Sequence, residues 1–213
     1  MAKASGKAKQ GLQQALHDAL LHHRQHEPNH ENRDRHKMKR WKLLVPEAIL
    51  SRRLLNTYSK LPKLVAPKVQ AACWKAAWNG WCVDARFRNM TQRHETKQCV
   101  FKCSANAEDR IEHYAACPYV LRFARRLLNL ATGSCFLTHF LLAERGMTDT
   151  RLTLTAILVY AVFRTTNAAR HKEYITEVVV TDMLEEYCKI AVKGHAQSSS
   201  VLHEALVGRF VRL

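Results

Sequence analysis

Apolar residues along this chain recur at intervals of three and four, and nowhere in a convincing two-residue alternation, so the pattern predicts helices and no strands. Leu12, Ala15, Leu16, Ala19 and Leu20 outline a short amphipathic helix that runs into a polar, His-rich stretch. A second helix opens after Pro46, with Ile49, Leu50, Leu54 and Tyr58 in register, and Leu61-Pro62 and Ala66-Pro67 punctuate the chain beyond it. Residues 68 to 88 read as one strong helix carrying Trp74, Trp78, Trp81 and Ala85 on a single face. Aromatic stripes at that spacing usually pack into a core. The alternative is a platform on which bases stack.

Asn106 is suited to cap a helix with Glu108 and Asp109 in its first turn and His113 and Cys117 beyond. Pro118 ends that helix or opens the next. The next has Val120, Phe123, Ala124, Leu127 and Leu128 on one face, Arg122, Arg125 and Arg126 on the other, and stops by Gly133. Residues 149 to 170 and 174 to 192 show two longer helical repeats, the second closed by Gly194, and together they predict an αα-hairpin able to cover the segment before them. Ser198 to Ser200 reads as a linker and Val201 to Phe210 as a last small helix. The longest apolar run, about ten residues around Ile157 to Phe163, falls well short of a bilayer span, so no membrane partner is expected. The expected plan is a basic, His-rich and largely disordered tail over 1–45, a mostly α domain over 46–197 with a small Cys/His unit packed among its helices, and a short C-terminal helix within 198–213.

Charge sharpens this picture. The net charge is +16, and residues 1 to 98 carry 20 Lys/Arg against 7 Asp/Glu, leaving 14 against 11 for the remainder. So strong an imbalance attracts polyanions by counterion release without any readout of sequence. Arg33, Arg35, Lys37, Lys39, Arg40 and Lys42 form a cluster around Trp41 that suits phosphate contact or nuclear import, and Arg86 and Arg88 extend it. With Arg122, Arg125 and Arg126 they predict a composite cationic surface for RNA or DNA. Six of the twelve histidines lie from His17 to His36, with no cysteine nearby and no carboxylate spacing that defines a site. Seven cysteines, an odd number, behind a small basic N-terminus predict a reduced, intracellular protein.

The candidate chemistry is concentrated in nineteen residues: Cys99-x3-Cys103-x9-His113-x3-Cys117. Zinc takes four sulfur or nitrogen ligands in a tetrahedron, and here a tight turn can supply two cysteines while His113 and Cys117, four apart, share one helix side. The competing reading is a set of buried core thiols with a half-buried histidine. Cys135 and His139 repeat the four-residue spacing, but among Phe136, Leu137, Phe140 and Leu141 they read as core. Four protein ligands leave no open position, so a zinc ion held here would be structural. No enzyme is expected, because the six aspartates are scattered, no glycine-rich phosphate loop occurs, and the zinc-deaminase signature is missing.

From the Trp74 to Trp81 stretch through Arg86-Phe87-Arg88 to the Cys/His motif, with Glu112 before His113, residues 66 to 133 resemble the zinc-binding region that follows the polymerase domain in reverse transcriptases of non-LTR retrotransposons. The resemblance implies that Cys99, Cys103, His113 and Cys117 are ligands in a module that assists binding of template RNA or target DNA. Three residues rather than two separate Cys99 from Cys103, no glycine follows Cys103, and the family's paired catalytic aspartates are absent. Two other readings stand beside a nucleic-acid-binding zinc module. One is a zinc-independent helical protein that meets a protein partner through its tryptophan and C-terminal hairpin faces. The other is a decayed retroelement reading frame without a selected role.

Overall fold

The computed structural model describes residues 38–43, 45–83, 98–105, 107–133 and 136–207. The predicted tail helix from Leu12, together with Arg33, Arg35, Lys37, Arg86, Arg88, Asn106 and Cys135, lies outside them. The chain divides into a unit of Met1–Lys42 and a larger one of Leu43–Leu213. In the first, Met38 to Lys42 form a turn in which the Arg40 guanidinium lies 4.8 Å from the Trp41 ring centre.

The larger unit is mostly α. Its helices among the described residues are α1 (Glu47–Tyr58), α2 (Leu61–Leu64), α3 (Pro67–Ala77), α4 (Ile111–Ala116), α5 (Pro118–Leu128), α6 (Phe136–Phe140), α7 (Asp149–Ala169), α8 (Glu177–Val192) and α9 (Ala196–Val207). No strand occurs among those residues; one isolated bridge pairs Gln98 with Glu108.

Helix α7 is the axis. It starts where the Thr148 hydroxyl accepts the Arg151 N–H, with Asp149 in the first turn to complement the helix dipole. Fourteen of its 21 residues are buried, on all sides of the cylinder, because α8 covers it most extensively, α3 next, and α2, α5, α6 and α9 close the remainder. Thr153 and Thr155 are tolerated inside because each hydroxyl donates to the carbonyl four residues back, Asp149 at 2.7 Å and Arg151 at 2.8 Å. By length and composition this helix could cross a membrane, against the expectation of no such segment. However, 78% of its most apolar window is buried in the protein, which makes it a core helix here. The expected αα-hairpin is α7 and α8, with Thr176 capping α8 and Gly194, at φ +84, ending the turn after it.

Several expected boundaries are corrected. The helix read over 68 to 88 stops at Ala77, since Asn79 takes the left-handed φ of +53 and the Gly80 N–H turns back to the Lys75 carbonyl. The three indoles therefore separate. Trp81 enters the core, its N–H donating to the Ala72 carbonyl, while Trp74 and Trp78 stay at the surface. Helix α5 ends at Leu128 rather than Gly133 because Asn129 adopts the left-handed conformation and Leu130 N–H reaches back to Ala124. Ser198 to Ser200 are no linker but part of the first turns of α9. The His195 Nδ1 accepts the Ser198 N–H, and Ser198 and Leu202 are buried. The C-terminal helix is thus packed against α5, α7 and α8.

His139 ties α6 to α7, as core packing predicts. Its Nδ1 lies 2.7 Å from a Glu144 carboxylate oxygen and its Nε2 lies 2.6 Å from the Thr155 hydroxyl oxygen, so both ring nitrogens are within hydrogen-bond distance of a partner. Burial holds this imidazole below its ordinary value of 6.5, against the smaller upward pull of Glu144. The unfolded chain therefore binds a proton before the folded one does. The resulting stability is fully present above pH 6.5 and is lost as pH falls from there toward the folded value. His139→Asn should flatten the dependence of melting temperature on pH below that point relative to the parent. Parallel curves would show that His139 does not titrate on unfolding.

Candidate metal centre

The first half of the centre is a short loop closed by backbone bonds. Beside the Gln98 to Glu108 bridge, Cys99 N–H donates to the Ala107 carbonyl at 2.8 Å, and Lys102 N–H turns back to the Cys99 carbonyl at 2.8 Å. Lys102 adopts φ +50, and this left-handed residue uses the third intervening position to fold Cys103 back beside Cys99. Its ammonium then donates to the Glu173 carbonyl at 2.9 Å, fastening the loop to the segment between α7 and α8. Phe101 is fully buried beneath the loop.

The second half comes from the joint between α4 and α5. The helix bearing His113 begins at Ile111, later than a cap at 106 would start it, because the Ala107 carbonyl is engaged by Cys99 and Arg110 is still extended at φ −146. Cys117 ends α4 and at the same time precedes Pro118, the first residue of α5. One candidate ligand thereby sits at the joint between two helices.

The four side chains predicted as ligands converge. The sulfurs of Cys99, Cys103 and Cys117 and a ring nitrogen of His113 all lie within 4.8 Å of one another, all four residues are buried, and Cys103 Sγ is 3.3 Å from His113 Nε2. Metal–sulfur bonds of about 2.3 Å and metal–nitrogen bonds of about 2.0 to 2.1 Å give a tetrahedron with edges of roughly 3.5 to 3.8 Å. The donor set fits a metal ion with shifts of about an ångström or less. Cys99 is pushed up to about 12 by its hydrogen bond with Cys117 and by burial, and Cys103 is raised chiefly by burial. Such thiols stay protonated until a metal charge offsets the cost of ionising them together.

Sequence reasoning missed the residues that hold the centre against the core. Asp109, expected in a first helical turn, is completely buried. It accepts the Tyr114 hydroxyl at 2.5 Å and the Arg170 guanidinium at 2.8 and 3.2 Å. Tyr114 follows His113 directly and packs 5.2 Å from Phe101, its phenol raised by burial and then by Asp109. Arg170 closes α7, so one ion pair joins the metal loop to the axial helix across 61 residues. No spacing rule links Asp109 with Arg170.

The predicted cationic residues fare unequally. Arg122 forms a bidentate pair with Glu177 at 2.5 and 2.6 Å and lies 5.3 Å from the Tyr119 ring centre, an ion pair that joins α5 to α8. Arg125, which donates to the Thr132 hydroxyl, and Arg126 are exposed. Lys39, Arg40 and Lys42 fall in the smaller unit. The described cysteines, Cys73, Cys82, Cys99, Cys103, Cys117 and Cys188, are all free thiols. No family model, curated protein or solved structure matches the chain.

Cys103→Ser and His113→Ala should each abolish stoichiometric metal and lower the melting temperature by about 10 °C or more, because a domain of this size shifts roughly 2 to 4 °C per kcal/mol. Cys188→Ser, at a buried thiol on α8 away from the cluster, should keep both the metal and the sensitivity to chelators. Elemental analysis with thermal melts decides, and equal metal loss in all three would dissolve the centre as a distinct site. Asp109→Asn should cost about 3 kcal/mol in urea unfolding, through the unpaired Arg170, while metal content is retained.

Proposed function

We propose that this chain is a nucleic-acid-binding module whose Cys99, Cys103, His113 and Cys117 hold one structural zinc ion, and that it is not itself an enzyme. The convergence of four buried donors from two separate segments carries the zinc reading. Three thiolates and an imidazole favour zinc over magnesium or calcium, which take oxygen ligands, and full protein coordination leaves no place for a reactive water. Such an ion would order the loop from Gln98 to Arg110, which has little regular structure of its own. The net charge of +16 supports a polyanionic partner, RNA or DNA. The resemblance of residues 66 to 133 to the zinc-binding region of non-LTR reverse transcriptases agrees with both parts of this reading.

A protein partner at the tip of the α7 and α8 hairpin is the second reading, favoured by Tyr174 and Val178, which are 84% and 68% exposed. The test is a salt series of filter-binding isotherms on RNA with zinc-loaded protein. Affinity should fall steeply with salt and vary little with sequence, each neutralised phosphate adding about 0.7 to 0.9 to the log-log slope. Deleting residues 1 to 42 should weaken binding without unfolding the larger unit, and Arg125→Gln with Arg126→Gln should lower the remaining slope by about two phosphate equivalents at most. Protein without stoichiometric zinc, or binding that ignores salt, would overturn the reading.

A further inference from the structure

The end of the predicted helix at Ala77 leaves two tryptophans outside the core. Trp74 and Trp78, one helical turn apart, stack at 4.1 Å between ring centres and 14° between planes, and Trp74 remains 42% exposed. Tyr58 from α1 meets both rings edge-on, at 5.2 and 6.2 Å, and is fixed by donating its hydroxyl to the Cys73 carbonyl at 2.7 Å. A flat, rigid aromatic surface of this kind is expensive to leave in water. Its surroundings indicate what covers it. Between Pro46 and Val83 the chain carries Arg52, Arg53, Lys60, Lys63, Lys68 and Lys75 against a single carboxylate, Glu47. All six cations are exposed except Arg53, which is half-buried. The Lys68 ammonium donates to the Ile190 carbonyl at 2.6 Å, and that of Lys75 lies 5.5 Å from the Phe163 ring centre. The exposed cations that remain are Arg52 on α1, Lys60 in the turn after it and Lys63 on α2. An apolar peptide would complement the rings but not this charge. A strand of unpaired nucleotides complements both, with bases on the indoles and phosphates on the lysines and arginines.

We infer that the Trp74 and Trp78 stack, with Tyr58 behind it and the exposed cations Arg52, Lys60 and Lys63 on the segment that carries Tyr58, is a base-stacking platform for single-stranded nucleic acid. This rests on the nucleic-acid reading above and adds to it a surface and a preference for unpaired bases. Base stacking on an aromatic side chain contributes enough to strengthen binding roughly tenfold for one base, and it tolerates any base because each has a π-face.

The decisive experiment titrates full-length, zinc-loaded protein with two labelled strands of about 16 nucleotides, one oligo(dT) and one abasic, which share phosphates but not bases. The parent should favour oligo(dT) by roughly tenfold or more. The double variant Trp74→Leu/Trp78→Leu, which keeps an apolar surface but no rings, should bind both strands equally, with its salt slope unchanged. Trp74→Phe should retain a preference for bases. Equal affinity of the parent for the two strands would overturn the platform while leaving the charge-driven reading intact, and needs no variant to fold. Binding of neither strand would remove both. A preference that survives in a folded double variant would place the bases elsewhere and leave the stack to a protein partner.

Discussion

The convergence of three sulfurs and one imidazole nitrogen is the constraint on which the middle of this molecule depends. The described residues from Gln98 to Arg110 form no helix and one isolated bridge. A segment of this kind stays ordered only if side chains supply what secondary structure does not. Here they supply it at one point. Cys99 and Cys103 lie on the loop, His113 on α4 and Cys117 at the joint with α5, so an ion shared by them would set the loop, the short helix and the direction of the longer one together.

That local unit still has to be attached to something rigid, and α7 provides it. A helix buried on every side cannot rotate or slide without opening the core, so any group fixed to its end inherits its position. Arg170 is such a group. Its pairing with the buried Asp109, which also takes the Tyr114 hydroxyl, connects the residue beside His113 to the axial helix. The Lys102 to Glu173 bond and the Arg122 pair with Glu177 repeat the attachment on either side of the centre. All three reach the turn between α7 and α8 or its immediate borders, so the hairpin holds the metal unit through its connecting end.

The ligands are legible in the sequence because their chemistry is local: a tight turn for one pair and a four-residue helical interval for the other. The long helices are legible because fourteen buried positions in α7, and the amphipathic face of α5, leave a strong periodic trace. Asp109 is not. Its role depends on a partner 61 residues away, and no periodicity records a single ion pair. The tryptophan stripe misleads although the signal is present, because the breaker pair Asn79-Gly80 lies inside an interval whose apolar spacing reads as continuous helix. Once the helix stops there, Trp81 can turn inward while Trp74 and Trp78 cannot follow. Ser198 to Ser200 mislead in the opposite direction: a serine run suggests a linker, yet serines are well placed in the first turn of a helix capped by the His195 ring.

On the zinc reading, charge separates the roles of the two halves of the molecule. Three thiolates around one dication leave the centre with a net charge of −1, so the metal itself offers nothing to a phosphate. Arg122, the α5 cation that pairs with α8, is neutralised by Glu177. On the nucleic-acid reading, a polyanion would be held away from the cysteines, on exposed residues such as Arg125 and Arg126 and on the exposed cations of α1 to α3. The metal acts on binding only through geometry. It fixes the start of α5, and α5 packs against α7 and α8, while α3 packs on α7 from its own side. Losing the ion would then disturb the contacts of α5 more than those of α3, because α3 is bound to α7 directly and owes none of its position to the cysteines.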